Sequence, residues 1–171
     1  MTAQSPWAAM PLYAIGLAVV ALDQASKLVI ASAMRLGQSI PVVPGLFDIS
    51  YVLNPGAAFG ILASRSAAFR NPFFMIVSLL AICLIVYYYH RYLHQPARLP
   101  AAALGLILGG AVGNLIDRLR VGMVIDFLDF HVSGYHWPAF NVADAAISIG
   151  VGLMLFRMLS EWRHEKALTA R

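Results

Sequence analysis

The sequence predicts an all-α polytopic membrane protein with four transmembrane helices and a small β-strand segment outside the membrane. Hydrophobic residues make up 60% of the 171 residues and charged residues only 12%, whereas soluble domains carry about 25% charged residues. The mean hydropathy is +0.74. A soluble domain of this composition would expose large apolar patches and aggregate. We therefore expect a single domain over residues 1–171 that is embedded in membrane lipids.

Four stretches of low charge are long enough to cross the membrane as helices. A spanning helix needs about 20 predominantly apolar residues. No Asp, Glu, Lys or Arg occurs in 1–22, 71–90 or 99–116. A fourth uncharged run, 145–156, becomes long enough if Asp144 lies inside the helix. The predicted helices lie near 11–33, 72–92, 99–118 and 139–159.

Prolines mark the expected helix boundaries. Pro72 and Pro138 would begin the second and fourth helices, because a proline in the first turn sacrifices no hydrogen bond. Pro96 and Pro100 would bracket the turn between the second and third helices.

A cleavable signal peptide is an alternative interpretation of the first helix, with residues 31–33 (Ala-Ser-Ala) as the cleavage site. No Lys or Arg precedes Leu12, so the positively charged start of a signal peptide is missing. Asp23 and Lys27 would also interrupt its apolar segment. A transmembrane helix is therefore the better prediction.

Two longer segments, 34–70 and 119–138, are predicted on the side of the membrane away from the termini. Residues 47–53 alternate between apolar and polar, which is typical of a half-buried strand. The basic residues divide six to six between the two sides, so the positive-inside rule does not decide the orientation. All six aspartates lie on the side of the two segments or just inside the membrane there. We therefore expect any chemistry at that one face.

Polar side chains near the membrane fall into sets at the same ends of the predicted helices. Residues three or four positions apart share one face of a helix. The sets are Asp23 with Lys27, Asn114 with Asp117 and Arg118, and Asn141 with Asp144. Ionisable groups at membrane depth are costly and are functional candidates by default. Small residues at four-residue spacing (Gly105, Gly109 and Gly113) would let the helices approach closely enough for the sets to converge.

Asp126 and Asp144 are the strongest candidates for catalysis. Asp126 lies between the third and fourth helices, and Asp144 lies near the start of the fourth. Two carboxylates held close together cannot both ionise, so one keeps a proton at neutral pH while the other is a base. The base can take a proton from water as it attacks an amide carbon, and the acid can protonate the carbonyl oxygen and then the leaving nitrogen. This chemistry requires neither a metal nor a cofactor.

Several polar residues also have plain structural interpretations. Asp23 and Lys27 could neutralise each other, and Asp117 could form an interfacial pair with Arg118. Solvated or interfacial positions without metal-binding spacing are expected for Asp48, Asp129, His131 and His136. The single cysteine, Cys83, allows no intramolecular disulfide and no Cys-based metal site. The lack of a long Lys/Arg run argues against a nucleic-acid partner.

Five short motifs follow one another along the chain. They are D-Q-A-S-K at 23–27, N-P-G-A-A-F-G at 54–60, G-G-A-V-G-N-L-I-D-R at 109–118, V-I-D-F at 124–127 and F-N-V-A-D at 140–144. In this order they resemble the lipoprotein signal peptidase (signal peptidase II) family of bacterial inner-membrane aspartyl proteases. The resemblance covers most of the chain. Pro55 stands where the family usually has Thr or Ser, and this difference affects no catalytic group.

The resemblance implies roles for the residues of these motifs. Asp126 and Asp144 would be the catalytic dyad. Binding of the substrate or inhibitor and support of the site would fall to Asn54, Gly56, Asn114, Arg118, Asn141, Asp23, Lys27 and Asp117.

The resemblance also implies a topology and a substrate. Both termini would be cytoplasmic, so that 34–70 and 119–138 are extracytoplasmic and the active site is at the periplasmic or outer face. The substrate would be a prolipoprotein whose lipobox cysteine carries a diacylglyceryl group, cleaved just before that cysteine. Globomycin, the cyclic peptide inhibitor of the family, would occupy the same cleft. We expect the protein to act as a monomer.

Two other classes of protein use similar residues. A proton- or ion-coupled transporter would also bury Asp, Lys and Asn, but no internal repeat is visible and the polar groups cluster at one face. A non-catalytic membrane scaffold would use the polar sets as packing clamps. Other intramembrane proteases fit less well, because the sequence contains no H-E-x-x-H, G-x-S-G or G-x-G-D motif.

Overall fold

The protein forms a bundle of four long helices with a small antiparallel sheet beside one end. The computed structural model describes residues 10–56, 66–92 and 98–169. The helices are α1 (Met10–Ala33), α2 (Ala67–Tyr92), α3 (Arg98–Val121) and α4 (Val142–Thr169). All four are long and apolar enough to cross a membrane. The 24 residues of α1 extend over about 36 Å, compared with about 30 Å of bilayer hydrocarbon. The predicted fold class is confirmed.

The central helix of the bundle is α3, which packs against the other three. Its most apolar stretch is 61% buried inside the protein, compared with 11% to 22% for the other helices. Glycines allow this close packing. A Cβ added to Gly109 would lie 2.6 Å from the carbonyl oxygen of Gly16 in α1, and one added to Gly150 of α4 would lie 2.6 Å from the carbonyl oxygen of Ala103. Small residues let the backbones touch, as the four-residue spacing predicted.

The apolar core lies between α1, α2 and α3 at the end of the bundle where α1 begins. Its buried members are Leu12, Tyr89, Ala101, Leu104 and Leu108. The opposite end of the bundle is filled instead by buried polar and charged side chains. The two ends therefore differ in chemistry, and the polar end is the one that meets the sheet.

The starts of α2 and α4 differ from the sequence predictions, whereas α3 begins within one residue of its predicted start. Helix α2 begins at Ala67, not near Pro72, so that Pro72 lies inside it. Because Pro72 has no backbone N–H, one intrahelical hydrogen bond, to the carbonyl of Ala68, is missing. Ala68 lies at the exposed start of the helix, where water can replace that bond. Helix α3 begins at Arg98 with Pro100 in its first turn, and it continues past residue 118 to Val121.

Helix α4 begins at Val142, not near Pro138, and ends at Thr169, not near 159. Asn141 sets the start, because its side chain accepts the backbone N–H of Asp144 and so caps the helix. The additional residues at the end are mostly exposed. The hydropathy pattern marks where a helix leaves the membrane, and α4 continues beyond that point.

The sheet consists of four strands in the order β1-β2-β3-β4, all antiparallel. They are β1 (Ser39–Val43), β2 (Phe47–Asn54), β3 (Val124–Val132) and β4 (Tyr135–His136). The alternation over 47–53 correctly predicted β2, but the other three strands were not predicted. The first four residues of β3 are all buried, so both of its faces are covered there and no alternation of apolar and polar residues is visible in the sequence.

The pairing of β2 with β3 positions the site. Val52 pairs with Asp126, and Asn54 pairs with Val124. A shift of register between Ile49 and Val52 bends the ladder just before this point. Residues that are about 70 positions apart in the chain thus become neighbours at the polar end of the bundle.

Candidate active site

Asn141 joins the two aspartates that were predicted to form the dyad. Asp126 lies on β3 with 1% of its surface exposed, and Asp144 lies in the first turn of α4. The side-chain Nδ2 of Asn141 donates to Asp126 Oδ1 at 2.7 Å. The backbone N–H of Asn141 donates to Asp144 Oδ2 at 3.3 Å. Both carboxyl groups therefore lie within hydrogen-bonding distance of one residue.

The start of α4 fixes the position of Asp144. The Asn141 side chain accepts the N–H of Asp144 at 2.9 Å, while the Asp144 side chain accepts the N–H of Asn141. This reciprocal arrangement is a capping box with Asp in place of the usual Glu or Gln. The free N–H groups of the first turn also favour a negative charge there. Asp144 is thus held at the start of the helix by two reciprocal hydrogen bonds with Asn141.

Side-chain amides reach the remaining oxygens of the pair. Asn54 Nδ2 donates to Asp126 Oδ2 at 2.9 Å, and Asn114 Nδ2 donates to Asp144 Oδ1 at 2.8 Å. All four carboxylate oxygens therefore accept a hydrogen bond from a neutral amide. Such donors orient the carboxyl groups and moderate the cost of burying their charge.

Burial raises the pKa of Asp126 to about 7, and the negative charge of Asp144 acts in the same direction. The hydrogen bonds from Asn54 and Asn141 and the charge of Lys27 oppose the rise. Asp126 can therefore hold a proton near neutral pH. A carboxyl group in this state can serve as a general acid, which an ordinary aspartate cannot do at that pH.

Arg118 connects α3 with the loop after β2 and with α2. Its Nη2 lies 3.5 Å from the carbonyl oxygen of Gly56, which is a long hydrogen bond. Its guanidinium carbon lies 5.1 Å from the centre of the Phe74 ring, within the range of a cation–π contact. The Gly56 N–H in turn donates to Asn54 Oδ1 at 2.9 Å. Arg118 and Asn54 are therefore linked through the turn at the end of β2.

The buried charge cluster consists of Asp23, Lys27 and Asp117, all at most 2% exposed. Lys27 Nζ lies 2.8 Å from a carboxylate oxygen of each aspartate and donates to Asn114 Oδ1 at 3.1 Å. Asp117 thus pairs with Lys27 and not with Arg118, contrary to the interfacial pair considered from the sequence. The Asp23–Lys27 pair is present within α1, and Lys27 also connects it to α3 through Asp117 and to Asp144 through Asn114.

A cavity of about 670 Å³ opens beside the dyad. It lies between α2 and α4, which both pack on α3. Its lining is polar at the sheet and apolar towards the membrane interior, and it includes Asn54, Gly56, Asn114, Arg118, Asp144, Phe74, Val77, Ala81 and Ile147. Ligand cavities commonly have this combination of an apolar wall and a few convergent polar groups.

A second polar group lies on the sheet, away from the dyad. His131 contacts Asp48 at 3.2 Å, and His136 contacts Asp129 at 2.8 Å. Hydrogen bonds from His131 and Ser39 hold the pKa of Asp48 below its usual value. These residues are paired with one another, and were expected as separate solvated or interfacial groups. Among the residues that the structure describes, no group of His, Cys, Asp and Glu has an arrangement that could hold a metal ion.

Comparison with known proteins identifies the family. A family model described as signal peptidase (SPase) II matches residues 15–160. The chain belongs to the signal peptidase II family. A lipoprotein signal peptidase of Syntrophotalea carbinolica is 49% identical over 152 residues, covering 89% of this chain and 91% of that protein. One from Geobacter sulfurreducens is 52% identical over 159 residues, covering 91% and 98%.

Solved structures of bacterial membrane enzymes share the fold of this signal peptidase II chain. A bacterial membrane enzyme determined by the in meso method superimposes with a TM-score of 0.78 at 35% identity, covering 88% of each chain. A second has a TM-score of 0.77 at 33% identity, covering 86% of this chain and 92% of that one. The family resemblance predicted from the five motifs is confirmed. The family assignment also argues against the transporter and scaffold interpretations.

The structure gathers every predicted site residue of this signal peptidase II chain around the dyad, either directly or through one intermediate. Sequence reasoning missed two contributors, Gln24 and Phe74. Gln24 lies within the first motif, next to Asp23, and its position there was the available signal. Nothing in the sequence distinguishes Phe74 from the other aromatic residues of α2, because its contact with Arg118 depends on how α2 packs against α3.

Proposed function

We propose that this protein is an aspartyl endopeptidase that removes the signal peptide from diacylglyceryl-modified prolipoproteins, cleaving just before the lipidated cysteine. The observation that carries the proposal is the pair of carboxyl groups of Asp126 and Asp144, joined by Asn141 beside a membrane-facing cavity. Membership of the signal peptidase II family supports the substrate class.

In the proposed first step, Asp144 acts as the base and Asp126 as the acid. Asp144 takes a proton from a water molecule while the water oxygen bonds to the carbonyl carbon of the scissile amide. Asp126 donates its proton to the carbonyl oxygen, giving a neutral tetrahedral diol. The raised pKa of Asp126 supports this assignment, because the acid must hold its proton near neutral pH.

The second step breaks the C–N bond of the diol. The proton now on Asp144 passes to the leaving nitrogen, and a hydroxyl proton of the diol returns to Asp126. The products are a free carboxyl group on the signal peptide and an amine on the lipidated cysteine. Both aspartates end in their starting protonation states, so the cycle consumes only water.

The cavity suits a substrate that is anchored in the membrane. Its polar end carries Arg118 and the carbonyl of Gly56, which can align an extended peptide beside Asp144. Its apolar wall, with Val77 and Ile147, can receive acyl chains or the signal peptide itself. Apolar substrate parts would thus remain in a lipid-like environment while the scissile bond lies at the polar end.

The protein lies in the bacterial inner membrane with both termini in the cytoplasm, and its site opens at the periplasmic or outer face. It acts as a monomer, and globomycin occupies the same cavity as the substrate. All buried polar side chains of the site lie at the sheet end of the bundle, which supports chemistry at one membrane face.

The test is cleavage of a diacylglyceryl-modified prolipoprotein by purified protein, followed as a gel shift. Asp126→Asn and Asp144→Asn should each lower the rate by at least about a thousandfold, because a missing acid or base disables proton transfer. Asp129→Asn, on the same strand as Asp126, is the matched control and should remain active. Near-normal turnover by either dyad variant would refute the dyad, whereas equal cleavage of unlipidated substrate would refute the substrate class.

A further inference from the structure

Two buried carboxylates each bind the backbone of the residue that precedes one aspartate of the dyad. Asp117 Oδ2 accepts the N–H of Ile125 at 3.1 Å, and Ile125 directly precedes Asp126. Asp23 Oδ1 accepts the N–H of Ala143 at 2.9 Å, and Ala143 directly precedes Asp144. The strand and the helix that carry the dyad are thereby each tied to one carboxylate of the buried charge cluster.

Gln24 ties these two carboxylates to each other. Its Nε2 lies 3.1 Å from Asp23 Oδ2, from Asp117 Oδ1 and from the carbonyl oxygen of Gly113. An amide nitrogen carries two hydrogens, so the three acceptors share them. Lys27 bridges the same carboxylates through its ammonium group. Gln24 adds donors to the cluster without adding charge.

We propose that Gln24 is a positioning residue that sets the separation of the two catalytic aspartates by clamping Asp23 against Asp117. The inference rests on the proposed aspartyl function. Gln24 itself touches neither Asp126 nor Asp144. Its effect passes through two carboxylates and two backbone N–H groups, and it therefore acts on the geometry of proton transfer and not on substrate binding.

The side-chain length and the donor group of Gln24 can be tested separately. Gln24→Met keeps the length but removes both N–H donors. Only Lys27 would then offset the repulsion between the carboxylates of Asp23 and Asp117. Gln24→Glu keeps the shape but places a third carboxylate in the cluster. The charged groups around this position are Asp23, Lys27, Asp117 and Arg120, whose Nη1 lies 3.5 Å from Gln24 Oε1.

We expect Gln24→Met to lower kcat about tenfold while KM changes less than about twofold, because the transition state alone requires the aligned dyad. Gln24→Glu should move the pH–rate profile to higher pH, because an added negative charge favours the protonated form of neighbouring carboxyl groups. The matched control is Gln38→Met. Gln38 accepts the N–H of Arg35 at 2.9 Å in an exposed turn away from the dyad, and this variant should change neither kcat nor the pH profile.

Each result decides the question. Unchanged kcat in Gln24→Met together with an unchanged pH profile in Gln24→Glu would overturn the clamp, as would a change in KM alone. If neither variant yields folded protein by thermal melting in detergent, Gln24 is a folding element and the positioning role is overturned. Asp126→Asn separates the two proposals: if it is inactive while Gln24→Met is fully active, only the clamp fails. If Asp126→Asn is active, the dyad itself is refuted.

Discussion

At the scale of single residues, neutral amides contact both aspartates of the proposed dyad. Asn54, Asn114 and Asn141 each donate to a carboxylate oxygen. Family resemblance predicted these asparagines as site residues, but it did not predict which oxygen each one contacts. Asn54 is informative because it reaches only one aspartate, so its removal has a predictable electrostatic effect.

Asn54→Ala should shift the alkaline limb of the pH–rate profile upwards. The hydrogen bond from Asn54 lowers the pKa of Asp126, so its loss raises that pKa and Asp126 keeps its proton to higher pH. A hydrogen bond to a charged group is worth about 1.5 to 3 kcal/mol and one pH unit corresponds to about 1.36 kcal/mol. We expect the alkaline limb to shift by about one pH unit. The measurement is kcat/KM from about two pH units below neutrality to about two above it.

Ser39→Ala is the control for this shift. Ser39 also donates to an aspartate of the sheet, Asp48, at 2.9 Å, but Asp48 lies at the other end of β2. Its loss should leave the profile unchanged. An upward shift of the acidic limb in Asn54→Ala, with the alkaline limb unchanged, would show that Asp126 acts as the base, reversing the proposed assignment of the two aspartates.

At the scale of secondary-structure elements, backbone contact between helices determines where the polar sets meet. Gly109 of α3 lies against the backbone of α1, and Gly150 of α4 lies against the backbone of α3. The sequence spacing of the glycines predicted close packing but could not say which partner each one meets. This packing brings the Asn114 and Asp117 positions of α3 against Lys27 of α1.

Gly109→Ala should destabilise the bundle by about 1 to 3 kcal/mol, the usual cost of forcing extra volume into a packed interior. The added Cβ would lie 2.6 Å from the Gly16 carbonyl oxygen and 2.7 Å from Val19 Cβ, and the backbone atom cannot move aside cheaply. Gly152→Ala of α4 is the control, since no atom lies within 4 Å of its added Cβ. The measurement is unfolding in detergent, and equal stability of the two variants would contradict the packing argument.

At the scale of the whole molecule, two of the three outer helices, α2 and α4, leave an opening between them. The cavity lies between α2 and α4, with residues of α3 such as Ala111 and Asn114 between them. Small side chains of the two helices, including Ser78, Ala81 and Ser148, keep it open. Hydropathy shows that each helix meets lipid but does not show that two of them leave a space.

Ser148→Trp should close this space and lower kcat/KM about tenfold or more, because a large ring would occupy volume needed by the substrate. Folding should be unaffected, since Ser148 faces the open cavity. Val151→Trp is the control on the same helix, because Val151 is 43% exposed and is not among the residues lining the cavity. If Ser148→Trp is folded, as judged by its thermal unfolding transition, and still cleaves at the wild-type rate, the substrate does not bind in this cavity.

The sequence alone determined the membrane environment, the four helices, the strand over 47–53 and the family, and it predicted the two aspartates as the dyad. These features are carried by local composition and short motifs, since the bilayer selects apolar stretches of a fixed length whatever their neighbours are. It did not determine the pairing of β3 with β2, the bond from Asn54 to Asp126 across 72 positions, or the bond from Gln24 to Asp117 across 93 positions. Only the tertiary structure decided these contacts. They depend on how the helices and strands pack together, and local sequence does not indicate which residues far apart in the chain come into contact.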